Sequence, residues 1–211
     1  MNVKVKICGI TSVEDGLAAA QYGADLVGLM FYEHSPRCIS LELAAAISKA
    51  LPASVLKVGV FVNPEPETVY DAIRACQLSL LQFHGQESSS FCTQFGILSM
   101  KAFRIQNASS LLELTHYQTD AFLLDAHSNA ALGGTGQSFN WALVEDAKKQ
   151  IGNRPLFLAG GLTPLNVAEA IIQTSPFAVD TSSGVESVPG RKDPAKMEAF
   201  ISAAKAVQIG G

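Results

Sequence analysis

No two cysteines of this chain form a C-x-x-C pair. Cys8, Cys38, Cys76 and Cys92 are scattered singly along 211 residues, without metal-finger spacing, and fit free thiols in a cytoplasmic protein. Basic blocks are absent and the net charge is −4, so nucleic acid and anionic membrane surfaces are not expected as partners. No apolar run reaches the roughly 20 residues of a membrane span. The opening Met1-Asn2-Val3-Lys4-Val5-Lys6 alternates polar and apolar residues and has no signal-peptide core. There is no low-complexity linker, no composition break and no G-x-G-x-x-G dinucleotide turn. Charged residues make up only 16% of the chain, against 48% hydrophobic, which is the balance of a well-buried globular protein. At this length one domain over 1–211 is expected.

The chain is organised around Leu156-Phe157-Leu158-Ala159-Gly160-Gly161-Leu162-Thr163-Pro164. Four apolar residues in a row suit a strand covered on both faces, as in a parallel sheet. Gly160 and Gly161 carry no Cβ and let the backbone approach a ligand. Thr163 as N-cap and Pro164 at the first helical position then predict a helix. Strand, bare amide loop and helix N-terminus together attract a phosphate; alone, Gly-Gly after a strand also serves as a tight turn. Downstream, Phe177-Ala178-Val179-Asp180 runs into Thr181-Ser182-Ser183-Gly184, a second strand ending in small hydrogen-bonding residues. Gly160, Gly161, Ser182, Ser183 and Gly184 are therefore the candidates for one phosphate held between two loops.

Strands are predicted to start near residues 3, 24, 55, 78, 97, 121, 156 and 177, each followed by a helical pattern. Among the helices, one follows Ser12 and stops at Gly23, one spans Ala108 to His116, one runs from Trp141 with Asn140 as cap, and one opens at Pro194. Strands alternating with helices pair in parallel through right-handed crossovers. Eight such units close into a (β/α)₈ TIM barrel, a compact one at this length; a doubly wound open sheet is the alternative.

Active sites of such barrels collect at the C-terminal ends of the strands. Cys8 lies there, on one strand face with Lys4 and Lys6 and two residues beyond Lys6. A nearby ammonium favours the thiolate, so Cys8 is a candidate base near neutral pH, or else a small buried hydrophobe. Asp125 ends the apolar Ala121-Phe122-Leu123-Leu124. Desolvation can hold such a carboxyl protonated as a proton donor; the alternative is a loop hydrogen-bond acceptor. Arg37, stiffened by Pro36, suits bidentate capture of a carboxylate, or else is a solvated surface arginine. Gln82, His84 and Asp180 are candidates for substrate contact, though Gln82 and His84 can equally satisfy each other. His34, His116 and His127 have no partner spacing and are expected on the surface, and Phe139 and Trp141 are expected to pack a helix.

Several stretches resemble motifs of the phosphoribosylanthranilate isomerase family. They are Lys6-Ile7-Cys8-Gly9-Ile10-Thr11, Phe31-Tyr32-Glu33-His34-Ser35-Pro36-Arg37, Gln82-Phe83-His84-Gly85 and Leu124-Asp125-Ala126. Gly133-Gly134-Thr135-Gly136 with Phe139-Asn140-Trp141, Leu158-Ala159-Gly160-Gly161-Leu162, Ser182-Ser183-Gly184-Val185-Glu186 and Pro189-Gly190-Arg191-Lys192-Asp193 complete the set. The matches span nearly the whole chain in order. The resemblance implies an Amadori rearrangement of N-(5′-phosphoribosyl)anthranilate in tryptophan biosynthesis, with no cofactor and no metal. It implies Cys8 as general base, Asp125 as general acid, Arg37 on the anthranilate moiety and phosphate at the last two strand ends. It also implies a phosphorylated sugar-anthranilate as partner and a monomer or homodimer.

His34 stands where lysine is common in the family, Asn140 where aspartate is common, and Thr181 also varies. Substrate breadth, including the analogous histidine-pathway aminoaldose, stays open. The rival enzyme reading, an indole-glycerol-phosphate synthase, needs further lysine and glutamate at strand ends, where this chain offers only Lys6, Lys57 and Lys101. A flavin-binding barrel shares the phosphate cup, and a non-catalytic phosphosugar-binding protein is the reading from another class.

Overall fold

Eight parallel strands, β1 (Lys4–Cys8), β2 (Leu26–Met30), β3 (Leu56–Phe61), β4 (Leu80–Phe83), β5 (Leu98–Arg104), β6 (Ala121–Asp125), β7 (Leu156–Ala159) and β8 (Ala178–Thr181), pair in chain order, and β8 returns to β1. The sheet is therefore closed, and the TIM barrel expected from the strand-helix alternation is the fold; an open doubly wound sheet is excluded by the pairing of Lys4 with Ala178 and of Lys6 with Asp180. The computed structural model describes residues 3–105, 107–125 and 142–208. The expectations for His127, the 133–136 glycine loop, Phe139, Asn140 and Trp141 lie outside the described residues.

Alternate side chains of each strand point into the barrel or out toward the helices. Val5 and Ile7 join the layer between strands and helices, while Cys8 belongs to the inner cluster with Val60, Met100, Leu123 and Phe157. The shared face of Lys6 and Cys8 is thus the inner one. Helices α1 (Val13–Tyr22), α2 (Leu41–Ala50), α3 (Pro66–Cys76), α4 (Ser89–Thr93), α5 (Ala142–Ile151), α6 (Val167–Thr174) and α7 (Pro194–Ala206) cover the outside. Their ends follow the sequence signals. Ser12 and Ser40 cap α1 and α2 through Asp15 and Leu43 N–H groups, Gly23 ends α1 in the left-handed region, and Asp193 caps α7 ahead of Pro194. Among the described residues no helix is long and apolar enough to cross a membrane.

Two local expectations are corrected. In place of a helix from Ala108 to His116, two 3₁₀ turns span Ala108–Leu111 and Leu114–His116. Their buried residues, Leu111 and Leu114, are three apart, which matches the three-residue period of a 3₁₀ helix. Asn107 reinforces the first turn by accepting from Ser110 N–H and from the hydroxyls of Ser109 and Ser110. After β7, Thr163 does not cap the helix and Pro164 is not its first residue. Asn166 instead accepts from Thr163 N–H (2.8 Å) and donates to the Gly161 carbonyl (3.1 Å), so a closed turn precedes α6. Between β8 and α7 a short hairpin of β9 (Glu186–Val188) and β10 (Arg191–Lys192) folds back over the barrel mouth.

Candidate active site

A cavity of about 240 Å³ opens at the C-terminal end of the barrel, with Cys8, Arg37, Gln82, His84, Asp125, Gly160, Gly161, Asp180, Ser182 and Ser183 all in its wall. Residues that span 175 positions in sequence meet here because each sits at or just beyond the end of its strand. Gly184 is the one sequence candidate outside the wall, and it explains how two of the loops fit together. A Cβ on Gly184 would stand 1.9 Å from the Leu162 carbonyl oxygen, so only glycine lets the β8 loop lie against the β7 loop. Thr181 Oγ1 fastens the same contact by donating to the Leu162 carbonyl at 2.8 Å. Gly160 and Gly161 both take positive φ, 92° and 66°, a conformation that other residues adopt only under strain. Gly161 and Ser183 are exposed beside the cavity. Two adjacent loops rich in glycine and serine thus border one end of the hollow, a composition suited to cradling an anion.

Cys8 points into the barrel and is buried, with Gly28 as its register partner on β2. A Cβ at Gly28 would sit 2.7 Å from the Cys8 sulfur, so that glycine makes the room the thiol occupies. The Lys6 ammonium does favour the thiolate, but burial opposes it. Burial pushes the Cys8 thiol above its ordinary value, and the opposing pull of the Lys6 ammonium does not overcome it. Lys6 is itself fully buried and paired with Asp180 Oδ1 at 3.0 Å, so much of its charge is already answered. Burial alone would strip the proton from Lys6, but Asp180 and Cys8 hold it and raise its pKa. Asp180, on the cavity wall, is pushed up by burial with Lys6 pulling against it.

Asp125 lies across the mouth from Cys8, at the end of β6. Its Oδ2 is 3.5 Å from His84 Nε2, and the two side chains are 19% and 22% exposed. Gln82 Nε2 stands 3.5 Å from His84 Nδ1. Gln82 and His84 thus stand beside each other and both line the cavity. Gln82 is almost fully buried, and its Oε1 has no hydrogen-bond partner in the described residues, which leaves an acceptor aimed at the hollow.

Arg37 is neither a solvated surface residue nor an unengaged one. Its Nε and Nη2 donate to Glu186 Oε1 and Oε2, both at 2.7 Å. This bidentate grip uses the side edge of the guanidinium and leaves the Nη1–Nη2 end edge for a second planar anion. The Glu186 hydrogen bond raises the Arg37 pKa despite partial burial. Lys192, buried on β10, donates to Glu186 Oε1 (3.0 Å) and to the Ser182 carbonyl (3.1 Å), tying the arginine's partner to the loop after β8. A Cβ at Gly9 would be 2.5 Å from Arg37 Cδ, so the turn after β1 is shaped around this side chain as well.

Glu186 and Lys192 are the functional residues that the sequence reading passed over as roles. Both lie inside recognised motifs, but a carboxylate near Arg37 in space is 149 positions away in the chain. His34 and His116 are exposed, as expected. Lys101, weighed for a rival chemistry, is buried outside the inner barrel face and donates to the Gly85 and Ala102 carbonyls. Among the described residues no three His, Cys, Asp or Glu side chains are grouped to hold a metal ion.

A family model described as N-(5′-phosphoribosyl)anthranilate (PRA) isomerase matches residues 5–203. The N-(5′-phosphoribosyl)anthranilate isomerase of Trichlorobacter lovleyi is 51% identical over 203 residues, covering 96% of this chain and 98% of the relative. The crystal structure of phosphoribosyl anthranilate isomerase from Thermotoga maritima aligns with a TM-score of 0.89 and 43% identity, over 97% of this chain and 100% of that one. A phosphoribosyl anthranilate isomerase solved with reduced 1-(o-carboxyphenylamino)-1-deoxyribulose 5-phosphate aligns at 0.87 and 42%, with the same coverage. These matches cover nearly the whole chain in sequence and in fold together: the chain belongs to the N-(5′-phosphoribosyl)anthranilate isomerase family.

Proposed function

We propose that this chain converts N-(5′-phosphoribosyl)anthranilate to 1-(2-carboxyphenylamino)-1-deoxy-D-ribulose 5-phosphate in tryptophan biosynthesis, by general acid-base catalysis. The observation that carries the reading is that Cys8, Asp125 and the two bare loops share one cavity. The phosphate sits on the amides around Gly160–Gly161 and Ser182–Ser183, with Gly184 keeping the loops in register. The anthranilate carboxylate takes the end edge of Arg37. The sugar then spans the mouth between Cys8 and Asp125, with Gln82, His84 and Asp180 beside it.

Asp125 gives its proton to the furanose ring oxygen, the C1′–O bond breaks, and the nitrogen lone pair forms an iminium. Cys8, as thiolate, takes the C2′ proton, and the C–H electron pair flows into the iminium to give an enolamine. Ketonisation moves a proton from the C2′ hydroxyl to C1′ and yields the product. The substrate's own nitrogen is the electron sink throughout. Asp125 next to His84, about one-fifth exposed, is placed to exchange protons with solvent between turnovers. The partner is a soluble phosphorylated sugar-anthranilate, met by a cytoplasmic monomer or homodimer; among solved relatives, the Thermotoga maritima protein is described as dimeric.

The test is the fading anthranilate fluorescence of freshly made substrate when protein is added. Wild type is expected to turn it over, and Cys8→Ala to lose at least about 100-fold in kcat with the fold retained. Near-normal turnover by Cys8→Ala removes the base assignment, and no turnover by wild type removes the function.

A further inference from the structure

A base that burial pushes toward its neutral thiol needs a device to carry the negative charge once the proton leaves. We propose that Lys6 and Asp180 are that device: a buried Cys8–Lys6–Asp180 triad in which the Lys6 ammonium stabilises the Cys8 thiolate and Asp180 positions Lys6. Lys6 has no role in the steps above and Asp180 none beyond lining the cavity, and the inference rests on Cys8 being the reacting base.

The geometry is specific. Lys6 and Cys8 are two residues apart on β1 and face the barrel interior together, about 6.6 Å apart along the strand. Lys6 is Asp180's register partner on the neighbouring β8. Its ammonium donates to Asp180 Oδ1 at 3.0 Å, and its charge acts on the Cys8 thiol on the same inner face. A lysine with 0% exposure inside an otherwise apolar barrel is unusual on energetic grounds, because a buried pair recovers its desolvation cost only with good geometry and full hydrogen bonding. A packing role is better served by an apolar side chain. Lys101 shows the contrast: nearly as buried, it donates to the Gly85 and Ala102 carbonyls besides standing 3.5 Å from Glu87 Oε2, whereas the Lys6 ammonium donates to a carboxylate alone.

The charges around Cys8 come from elements on every side of the cavity. Lys6 on its own strand and Lys192 on β10 favour the thiolate, and Asp180 on β8 opposes it. Arg37, in the loop after β2, is held to Glu186 on β9, and across the mouth stand His84 beyond β4 and Asp125 on β6. Asp180 thus has two opposite effects. It keeps Lys6 protonated and in place, and its own charge raises the thiol's affinity for its proton. Burial and Asp180 thus raise the thiol's affinity for its proton while Lys6 and Lys192 answer the charge left when the proton goes, which suits abstraction of a weakly acidic C–H proton.

The experiment is the pH dependence of Cys8 carboxyamidomethylation by iodoacetamide, measured without substrate and resolved at Cys8 by peptide mass spectrometry. Asp180→Asn leaves the Lys6 ammonium with only the thiolate as partner, so the midpoint is expected to fall by about one pH unit or more. Lys6→Met removes the stabilising charge, and the midpoint is expected to rise by a similar amount. Lys6→Arg and Asp180→Glu keep the charges and are expected to hold the wild-type direction, which supplies a reading if either first variant does not fold. A purely structural role changes the plateau rate through access to the sulfur but not the midpoint. Midpoints of Asp180→Asn and Lys6→Met that both match wild type, or move the same way, overturn the triad. Because no turnover is involved, retained activity in Cys8→Ala sinks the base assignment while leaving these midpoints as they are.

Discussion

On the β7–β8 side of the cavity, the backbone is braced from several directions: Thr181 to the Leu162 carbonyl, Lys192 to the Ser182 carbonyl, and Glu186 to both Arg37 and Lys192. On the β4–β6 side, Asp125 and His84 are each about one-fifth exposed, with Asp125 3.5 Å from His84 and His84 the same distance from Gln82. The difference follows from what each side has to do. An anion and a carboxylate are recognised by fixed donors, and fixing them before the ligand arrives lowers the cost of binding. A proton donor must change its protonation state every turnover, which favours solvent access and loose contacts. The rigid half should therefore govern stability and KM, and the open half kcat.

Asp125→Asn is the sharpest way to break that comparison. It should cut kcat by at least about 100-fold while the urea unfolding midpoint stays at the wild-type value. A large loss of stability would mean that the open half is structural after all. Glu186→Gln should act in the opposite sense. Removing a charge with 5% side-chain exposure that answers both Arg37 and Lys192 should cost about 2 kcal/mol, discounted for the partial exposure of Arg37, and raise KM more than it lowers kcat. Denaturant titration and steady-state kinetics check the two parts.

That variant also carries a pH signature. Burial would raise the Glu186 carboxyl, but hydrogen bonds from Arg37 and Lys192 outweigh it and hold the group below its ordinary 4.5. A depressed folded pKa stabilises the protein fully above the unfolded value and loses that contribution as pH falls through the folded one. Wild type should therefore lose stability faster than Glu186→Gln below about pH 4.5, and parallel curves in that range would remove the ion-pair account.

Gly184→Ala comes next. The added methyl meets the Leu162 carbonyl, so the β7 and β8 loops must separate, at a cost of about 1–3 kcal/mol with weaker phosphate affinity. Inorganic phosphate as a competitive inhibitor reads the affinity directly, and an unchanged inhibition constant would contradict the two-loop cradle. The smallest effect belongs to Thr181→Val, which deletes one buried hydrogen bond. About 1 kcal/mol of stability should be lost with kcat unchanged.

The same two halves mark how far the sequence could be read. Local signals were legible because they act over a few residues: Ser12 and Gly23 bound α1, Asp193 and Pro194 open α7, and apolar runs such as Leu156–Ala159 are strands of a parallel barrel. Placing Cys8, Arg37, Asp125 and Gly160 at strand ends was enough to bring them to one cavity once the barrel closed. What the chain does not display locally is who answers whom. Lys6 and Asp180 are 174 residues apart and Arg37 and Glu186 are 149, and only ring closure between β1 and β8 makes the first pair neighbours. The burial that opposes the Cys8 thiolate is hidden for the same reason, since two residues of strand show the nearby ammonium but not its carboxylate or the dryness of the barrel interior. The 3₁₀ turns after β5 were missed because Leu111 and Leu114 fit either helical period, and Asn107 decides between them.

Cys8 and Asp125 working on one sugar from opposite sides is the centre of the account. The direct measurement is a crystal structure of this protein with reduced 1-(o-carboxyphenylamino)-1-deoxyribulose 5-phosphate. The phosphate oxygens should lie about 2.7–3.2 Å from amides of the Gly160–Gly161 and Ser182–Ser183 loops. Cys8 Sγ should be about 3–3.5 Å from C2′, with the Asp125 carboxyl on the other side of the sugar chain. A phosphate bound away from those loops, or both side chains on one side of the sugar, would contradict it.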